Sequence, residues 1–227
     1  KHDKLHGMKL DFIDVRRAYF QAKARRSVYV KLPDEDYQEG MVGKLLKSMY
    51  GTRDAAQNWE AEYSEFMELI GFKRGLASPC VFYHPERNIR AVIHGDDFTF
   101  CGLESDLVWI RQKLESWFPI KFRVIMGGDK DDIKEVVILG RNLVWTPTGY
   151  RYSADVKHRE EILKHFGLEG ESASGLSQNG YKIEPYQGGE GDLLEGEEAT
   201  KFRGLVARLN YLSADSPDLQ FAIKQCS

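Results

Sequence analysis

The alternation of apolar and polar residues gives the first elements. Residues 8–15 (MKLDFIDV) and 28–32 follow the two-residue period of a half-buried strand. Over residues 54–70 the period changes: Trp59, Tyr63, Phe66 and Ile70 recur at spacings of four, three and four, which places them on one face of a helix. Asp54 stands at the N-cap position of that helix and Gly71 just past its end. Apolar runs at 80–83, 90–94 and 98–101 predict strands, the last two joined by a turn at Gly95-Asp96-Asp97. A second helix is predicted over 104–118, with Leu107, Ile110, Leu114 and Trp117 as its buried stripe and Pro119 as its stop. Strands resume at 120–126 and 136–145, separated by the turn-rich Gly127-Gly128-Asp129. Residues 155–166, 199–212 and 217–227 read as helices, the last opened by Ser216-Pro217.

The order strand, helix, two hairpinned strands, helix, strand predicts the fold class α+β: a split β-α-β-β-α-β unit, with an antiparallel sheet covered by both helices on one face. A mainly helical segment is expected to follow. The expected boundaries are 8–153 for the first part and 154–227 for the second, with an acidic, glycine-rich loop over 169–198.

Composition narrows the class of molecule. A chain of 227 residues with 42% hydrophobic and 30% charged residues can bury a real core, which excludes disordered and collagenous chains. Cys80, Cys101 and Cys226 form neither a disulfide framework nor a zinc-ligand spacing, and they suit a reducing compartment, cytoplasmic or nuclear rather than secreted. No apolar run approaches the length that spans a bilayer, so no membrane partner is expected. The first methionine is Met8, and the chain is read as a fragment of a longer polypeptide. The net charge of −3 is unevenly spread. Arg16, Arg17, Lys23, Arg25, Arg26 and Lys31 lie in a stretch without acids, interleaved with Tyr19, Phe20 and Tyr29, a composition that suits nucleic acid. Residues 169–198 alone carry −7, which leaves +4 elsewhere.

The chemistry lies with three acids. Asp14 ends the first strand, and Asp96 and Asp97 sit at the hairpin tip. In a split βαβ sheet these elements are neighbours, so the three carboxylates are expected to converge at one end of the sheet. Carboxylates held close together repel unless a cation neutralises them, and oxygen-only ligands select hard divalent ions such as Mg2+. Two such ions form the clamp used in phosphoryl transfer. Gly-Asp-Asp is also an ordinary turn sequence, so the tripeptide carries little by itself. Other candidates fail: Asp129, Asp131 and Asp132 lack the glycine and glutamate of a calcium loop and are read as a hairpin turn, and His158 with His165 has no cysteine nearby to complete a zinc site.

The segment Phe12-Ile13-Asp14-Val15-Arg16-Arg17-Ala18-Tyr19-Phe20 resembles the first carboxylate motif of reverse transcriptases. The segments around it resemble, in order, the copia-type retrotransposon polymerase: Val28-Tyr29-Val30-Lys31-Leu32-Pro33, then Ser48-Met49-Tyr50-Gly51-Thr52-Arg53 through Trp59 at its template-side motif. Ile93-His94-Gly95-Asp96-Asp97 is similar to its aromatic-X-Asp-Asp box, Ile138-Leu139-Gly140 to the strand after its second palm helix, and Asn210 to Leu219 to its C-terminal connection segment. The resemblance implies a palm with part of the fingers, about residues 19–53, and then a thumb-like or connection-like segment. It implies RNA-directed DNA synthesis with two Mg2+ ions, Mn2+ being an alternative, on an RNA template with a DNA primer and deoxynucleoside triphosphates. Asp14, Asp96 and the Val15 carbonyl would be metal ligands and Asp97 a supporting catalytic acid. Tyr19 and Ala18 would meet the nucleotide, Tyr19 as a steric gate against a 2′-hydroxyl. Arg53, Tyr50, Gly51, His94 and Gly95 would lie against template or primer.

Departures from the family pattern qualify these expectations. His94 stands where the family has an aromatic residue, and Gly95 where a larger residue is common; strand alternation points His94 away from its neighbour, which favours packing or primer contact over metal ligation. Asp54 replaces a glutamine and Ala56 a proline. The upstream finger strands are expected before Lys1 and a ribonuclease H domain after Ser227, so little primer extension is expected of this chain alone. An RNA-dependent RNA polymerase would share the Gly-Asp-Asp box but needs a hydrogen-bonding residue where Tyr19 stands. A domesticated or decayed element that binds nucleic acid or protein without catalysis is the alternative from another class.

Overall fold

A computed structural model of the chain describes residues 7–168 and 194–225. Two compact units divide at residues 134 and 135. The expected acidic loop falls mostly on residues 169–193, outside the described residues, as does Cys226.

The first unit contains the expected split unit. β1 (Lys9–Val15), α1 (Ala55–Leu69), β6 (Ile89–His94), β7 (Asp97–Gly102), α2 (Glu104–Glu115) and β8 (Ile120–Met126) follow in that order, and β4 (Lys73–Arg74) and β5 (Val81–His84) extend the sheet edge. The sheet order is β4-β5-β6-β7-β1-β8, antiparallel throughout. A single cluster of buried side chains joins the sheet to both helices, with Ile13, Val15, Ile93, Phe98 and Phe100 meeting Trp59, Phe66, Met67, Leu107, Ile110 and Leu114. The helices therefore cover one face. Between β1 and α1, β2 (Tyr29–Val30) and β3 (Gly43–Lys44) pair as a two-stranded arm.

Several expectations are corrected. Trp117 does not belong to the buried stripe: α2 stops at Glu115, which leaves Trp117 52% exposed and turns Phe118 into the core beside Trp59 and Phe66. Asp54 occupies the N-cap position of α1 without a side-chain cap bond; its carboxylate accepts instead from Asn58 and pairs with Arg26. The segment after Met126 is not a hairpin turn, because β8 and the next strand lie in different sheets. It is a loop folded onto Lys9, a buried lysine that meets Glu104, Asp129 and Asp132 at 2.6 to 3.1 Å. Asp129 first, with Glu104 and Asp132, holds the Lys9 ammonium above the usual lysine range against the effect of burial. A Cβ at Gly127 would lie 2.5 Å from the Asp132 carboxylate and 2.8 Å from Lys9 Cγ, so a side chain there would displace the pair.

In the second unit the expected single strand at 136–145 is two, β9 (Glu135–Ile138) and β10 (Arg141–Thr146), turned at Leu139 and Gly140, both at positive φ. β11 (Gly149–Ala154), unforeseen, completes a three-stranded meander in the order β11-β10-β9. α3 (Val156–His165), α4 (Gly196–Ser213) and α5 (Gln220–Gln225) follow, Asp155 capping α3 through a bond from the Lys157 amide. Pro217 lies in the turn before α5 rather than at its first position. Asp215 ties this unit together by accepting from Arg141 and from the Ala154 amide. No helix of the described residues is long and apolar enough to cross a membrane.

Candidate active site

Asp14, next to last in β1, lies opposite Asp97 of β7 on one side and Lys121 of β8 on the other. Asp97 in turn lies opposite His94 of β6. Residues paired across antiparallel strands project to the same face, so His94, Asp97, Asp14 and Lys121 form one row across the sheet. Their neighbours Ile13, Val15, Ile93 and Phe98 are buried against the helices, which puts the row on the open face.

Asp96 sits beside Asp97 in a two-residue turn whose first position is Gly95, at φ +62°. A hairpin this tight needs the left-handed conformation there, which glycine adopts at no steric cost. Two hydrogen bonds hold the turn. The Val15 amide donates to the Asp96 carbonyl at 2.9 Å, and the indole of buried Trp59 donates to the Gly95 carbonyl at 2.8 Å. Helix α1 thus positions the acids from the core side, a role that sequence periodicity gave no means of assigning to Trp59.

The three acids bear on one another. Burial pushes the Asp97 carboxyl up, and repulsion from Asp96 and Asp14 adds to it; Arg123 and His94 pull the other way. Arg123 arrives through a β-bulge: Phe12 pairs with Val124 but Ile13 pairs with Phe122, leaving Arg123 as the extra residue of β8. Its Nη1 donates to Asp97 Oδ1 at 2.8 Å. Sequence reasoning missed this residue, because a bulge breaks the alternation on which that reasoning rests.

The donor set suits a hard divalent cation, being oxygen-only and mutually repulsive. Among the described residues, no group of three or more His, Cys, Asp or Glu is gathered closely enough to hold an ion as it stands. Asp97 is engaged by Arg123, which leaves Asp14 and Asp96 as the acids without a described ion pair.

The remaining candidates lie on the segment after β1, on the segment before α1, and at the end of β6. The chain leaves β1 through Arg17, left-handed at φ +52°, into a 3-10 turn, Ala18–Gln21, in which Ala18 is buried and Tyr19 half-buried. Tyr19 stacks on Tyr50 with centroids 4.5 Å apart, and Phe20 meets Tyr50 edge-on at 5.3 Å. The fold thereby joins two segments that are thirty residues apart in sequence. Gly51 and Arg53 are exposed between the arm and α1. His94 is exposed too, so it does not pack, and it faces the same side as Asp97. Asp54 explains itself internally: burial raises its carboxyl, but the bond from Asn58 and the Arg26 ion pair hold it below the usual range. Of the basic stretch, Arg25 is paired with Glu65 and Arg26 with Asp54.

The chain belongs to the reverse transcriptase (RNA-dependent DNA polymerase) family, which it matches over residues 5–174. Its relatives are Pol polyproteins of copia-type plant transposons. It is 25% identical over 169 residues to the retrovirus-related Pol polyprotein from transposon TNT 1-94 of Nicotiana tabacum, covering 71% of this chain and 12% of that protein. It is 24% identical over 227 residues to the corresponding polyprotein from transposon RE1 of Arabidopsis thaliana, covering 95% of this chain and 14% of the relative. The chain thus spans about one seventh of the length of the curated relatives it matches. Among solved structures, a foamy viral protease-reverse transcriptase in complex with an RNA/DNA hybrid aligns with 96% of this chain and 24% of its own, at a TM-score of 0.45 and 11% identity.

Proposed function

We propose that this chain forms the palm, with part of the fingers, of a copia-type reverse transcriptase that extends a DNA primer on an RNA template. The observation that carries the reading is the placement of Asp14 opposite Asp97, with Asp96 in the adjoining turn, on the sheet face away from the helices. Asp14 and Asp96, with the Val15 carbonyl, would hold two Mg2+ or Mn2+ ions, and Asp97 would support them. When bound, the ions would activate the attacking 3′-hydroxyl and stabilise the leaving oxygen. The chain's own residues supply the rest. Arg16, Arg17 and Lys23 are exposed and attract phosphates, a sequence-independent and salt-sensitive attraction. Tyr50, Gly51, Arg53, His94 and Gly95 would lie against template and primer. Tyr19 would form the floor under the sugar of the incoming deoxynucleoside triphosphate, and Ala18, buried in the core, would hold it from below rather than meet the nucleotide with its side chain.

The test is primer extension by this segment within a longer polypeptide, since the relatives it matches are several times its length. Incorporation of deoxynucleotides on an RNA template supports the reading. Tight primer–template binding without incorporation favours the domesticated, non-catalytic alternative.

The same assay reads Tyr19. A ring under the sugar rejects a ribonucleotide by a clash, so removing it should help the wrong substrate selectively. For Tyr19→Ala the preference for deoxynucleotides over ribonucleotides should fall at least about tenfold, a difference of about 1.4 kcal/mol in barrier. Tyr19→Phe keeps the ring and should keep the preference. The stack on Tyr50 will also be lost in the alanine variant, but that slows both substrates alike. An unchanged ratio would reduce Tyr19 to a packing residue.

A further inference from the structure

Arg123 is placed by an irregularity that costs the sheet a regular pairing, and among the described ion pairs it is the only cation that reaches Asp14, Asp96 or Asp97. The pair is partly solvated, with side chains 50% and 26% exposed, so an ion arriving from solvent can reach the shared carboxylate. Three carboxylates bearing on one another need a counter-charge while no metal is bound, and the bulge supplies one at the third acid.

We propose that Arg123 is the internal counter-cation of the acid row, a positioning residue that compensates Asp97 in the ion-free state and that a divalent ion must compete with for that carboxylate. The inference rests on the metal-binding reading above and adds a named competitor to it. Because Arg123 neutralises one of the three acids, the site presents less negative charge to an arriving ion than Asp14, Asp96 and Asp97 would without it. Removing the guanidinium should therefore tighten cation binding while it loosens the ion-free fold.

The experiment is a Mn2+ titration of the 227-residue chain, with free Mn2+ read by electron paramagnetic resonance. Arg123→Ala should bind Mn2+ about threefold more tightly than the parent, the size expected of a partly exposed ion pair. Arg123→Lys should stay near the parent, since it keeps the charge. In an Asp97→Asn background, which removes the carboxylate they compete for, the gain from Arg123→Ala should shrink to the part owed to the guanidinium charge alone. Unfolding without divalent ions should show Arg123→Ala melting below the parent, with added Mn2+ closing the gap. Arg123→Gln offers the same comparison if the alanine variant folds poorly. Equal Mn2+ affinity in parent and variant overturns the role of Arg123 alone, as does a gain that is undiminished in the Asp97→Asn background. Absence of Mn2+ binding in every form overturns the metal reading, and this inference with it.

Discussion

Replacing Asp14 or Asp96 by asparagine should reduce nucleotide incorporation at least about a thousandfold, roughly 4 kcal/mol of barrier. Asparagine keeps the shape and one carbonyl oxygen but removes the negative charge, and carboxylate charge supplies most of such a site's attraction for a hard divalent ion. Asp97→Asn should cost less than either, since Asp97 already gives one oxygen to Arg123. The structural consequence has the opposite sign. Asp14 lies opposite Asp97, and its charge raises the Asp97 carboxyl. Without divalent ions, Asp14→Asn should therefore melt no lower than the parent, and somewhat higher at low salt. Steady-state incorporation by the longer polypeptide and thermal unfolding of this chain measure the two effects separately. An Asp14→Asn variant that is both inactive and unfolded would mean that the acid serves the fold.

The second large effect is expected from Arg111→Ala, on stability. Arg111 Nε donates to Asp11 Oδ2 at 2.5 Å, and the guanidinium lies 4.3 Å over the Phe122 ring. Asp11 is fully buried on the helix-covered face of β1, three residues before Asp14, and its Oδ1 has no hydrogen-bond partner. Removing one partner of a buried pair leaves an uncompensated charge, which costs about 3–5 kcal/mol. The loss should depend on pH. Burial pushes the Asp11 carboxyl up, while Arg111 and the Phe12 amide hold it down. The folded pKa lies above the unfolded one, so the folded chain binds this proton more readily, and the contribution of Asp11 to stability falls as pH rises through that window. Without Arg111 the window widens upward. The deficit of Arg111→Ala should thus be larger at pH 7 than near pH ~4.5, where the carboxyl is closer to protonated. Replacing both residues with apolar ones of similar volume should recover much of the loss. Denaturant unfolding at the two pH values checks it, and a deficit under about 1 kcal/mol would show that water reaches the pair.

Much of the site was legible in the sequence because it lies where patterns are regular. Asp14 closes a strand whose residues 8–12 alternate apolar and polar, and Asp96 and Asp97 follow a glycine between two apolar runs, so their elements could be placed before any geometry was known. Arg123 and Trp59 could not be assigned their roles. The first depends on a register slip between two strands more than a hundred residues apart in sequence. The second depends on a single indole bond from a helix to a turn thirty-six residues away. Trp117 was misread for a related reason: helical periodicity continues on paper past Glu115, whereas the chain turned at Ser116 to bury Phe118 instead.

The sequence alone determined the elements whose signals are local: the alternating strands, the two amphipathic helices with their apolar faces, the glycine that turns the acidic hairpin, and hence the α+β class with its acids at one end. These follow from side-chain periodicity and backbone sterics within a few residues. Tertiary structure decided what depends on which strands meet and in what register. It put His94 in line with Asp97, Asp14 and Lys121, set Arg123 on Asp97, stacked Tyr19 on Tyr50 and buried Asp11 with Arg111. A one-residue shift in pairing reverses the face of every side chain beyond it, and that shift is fixed by packing of the whole core, which no local window contains.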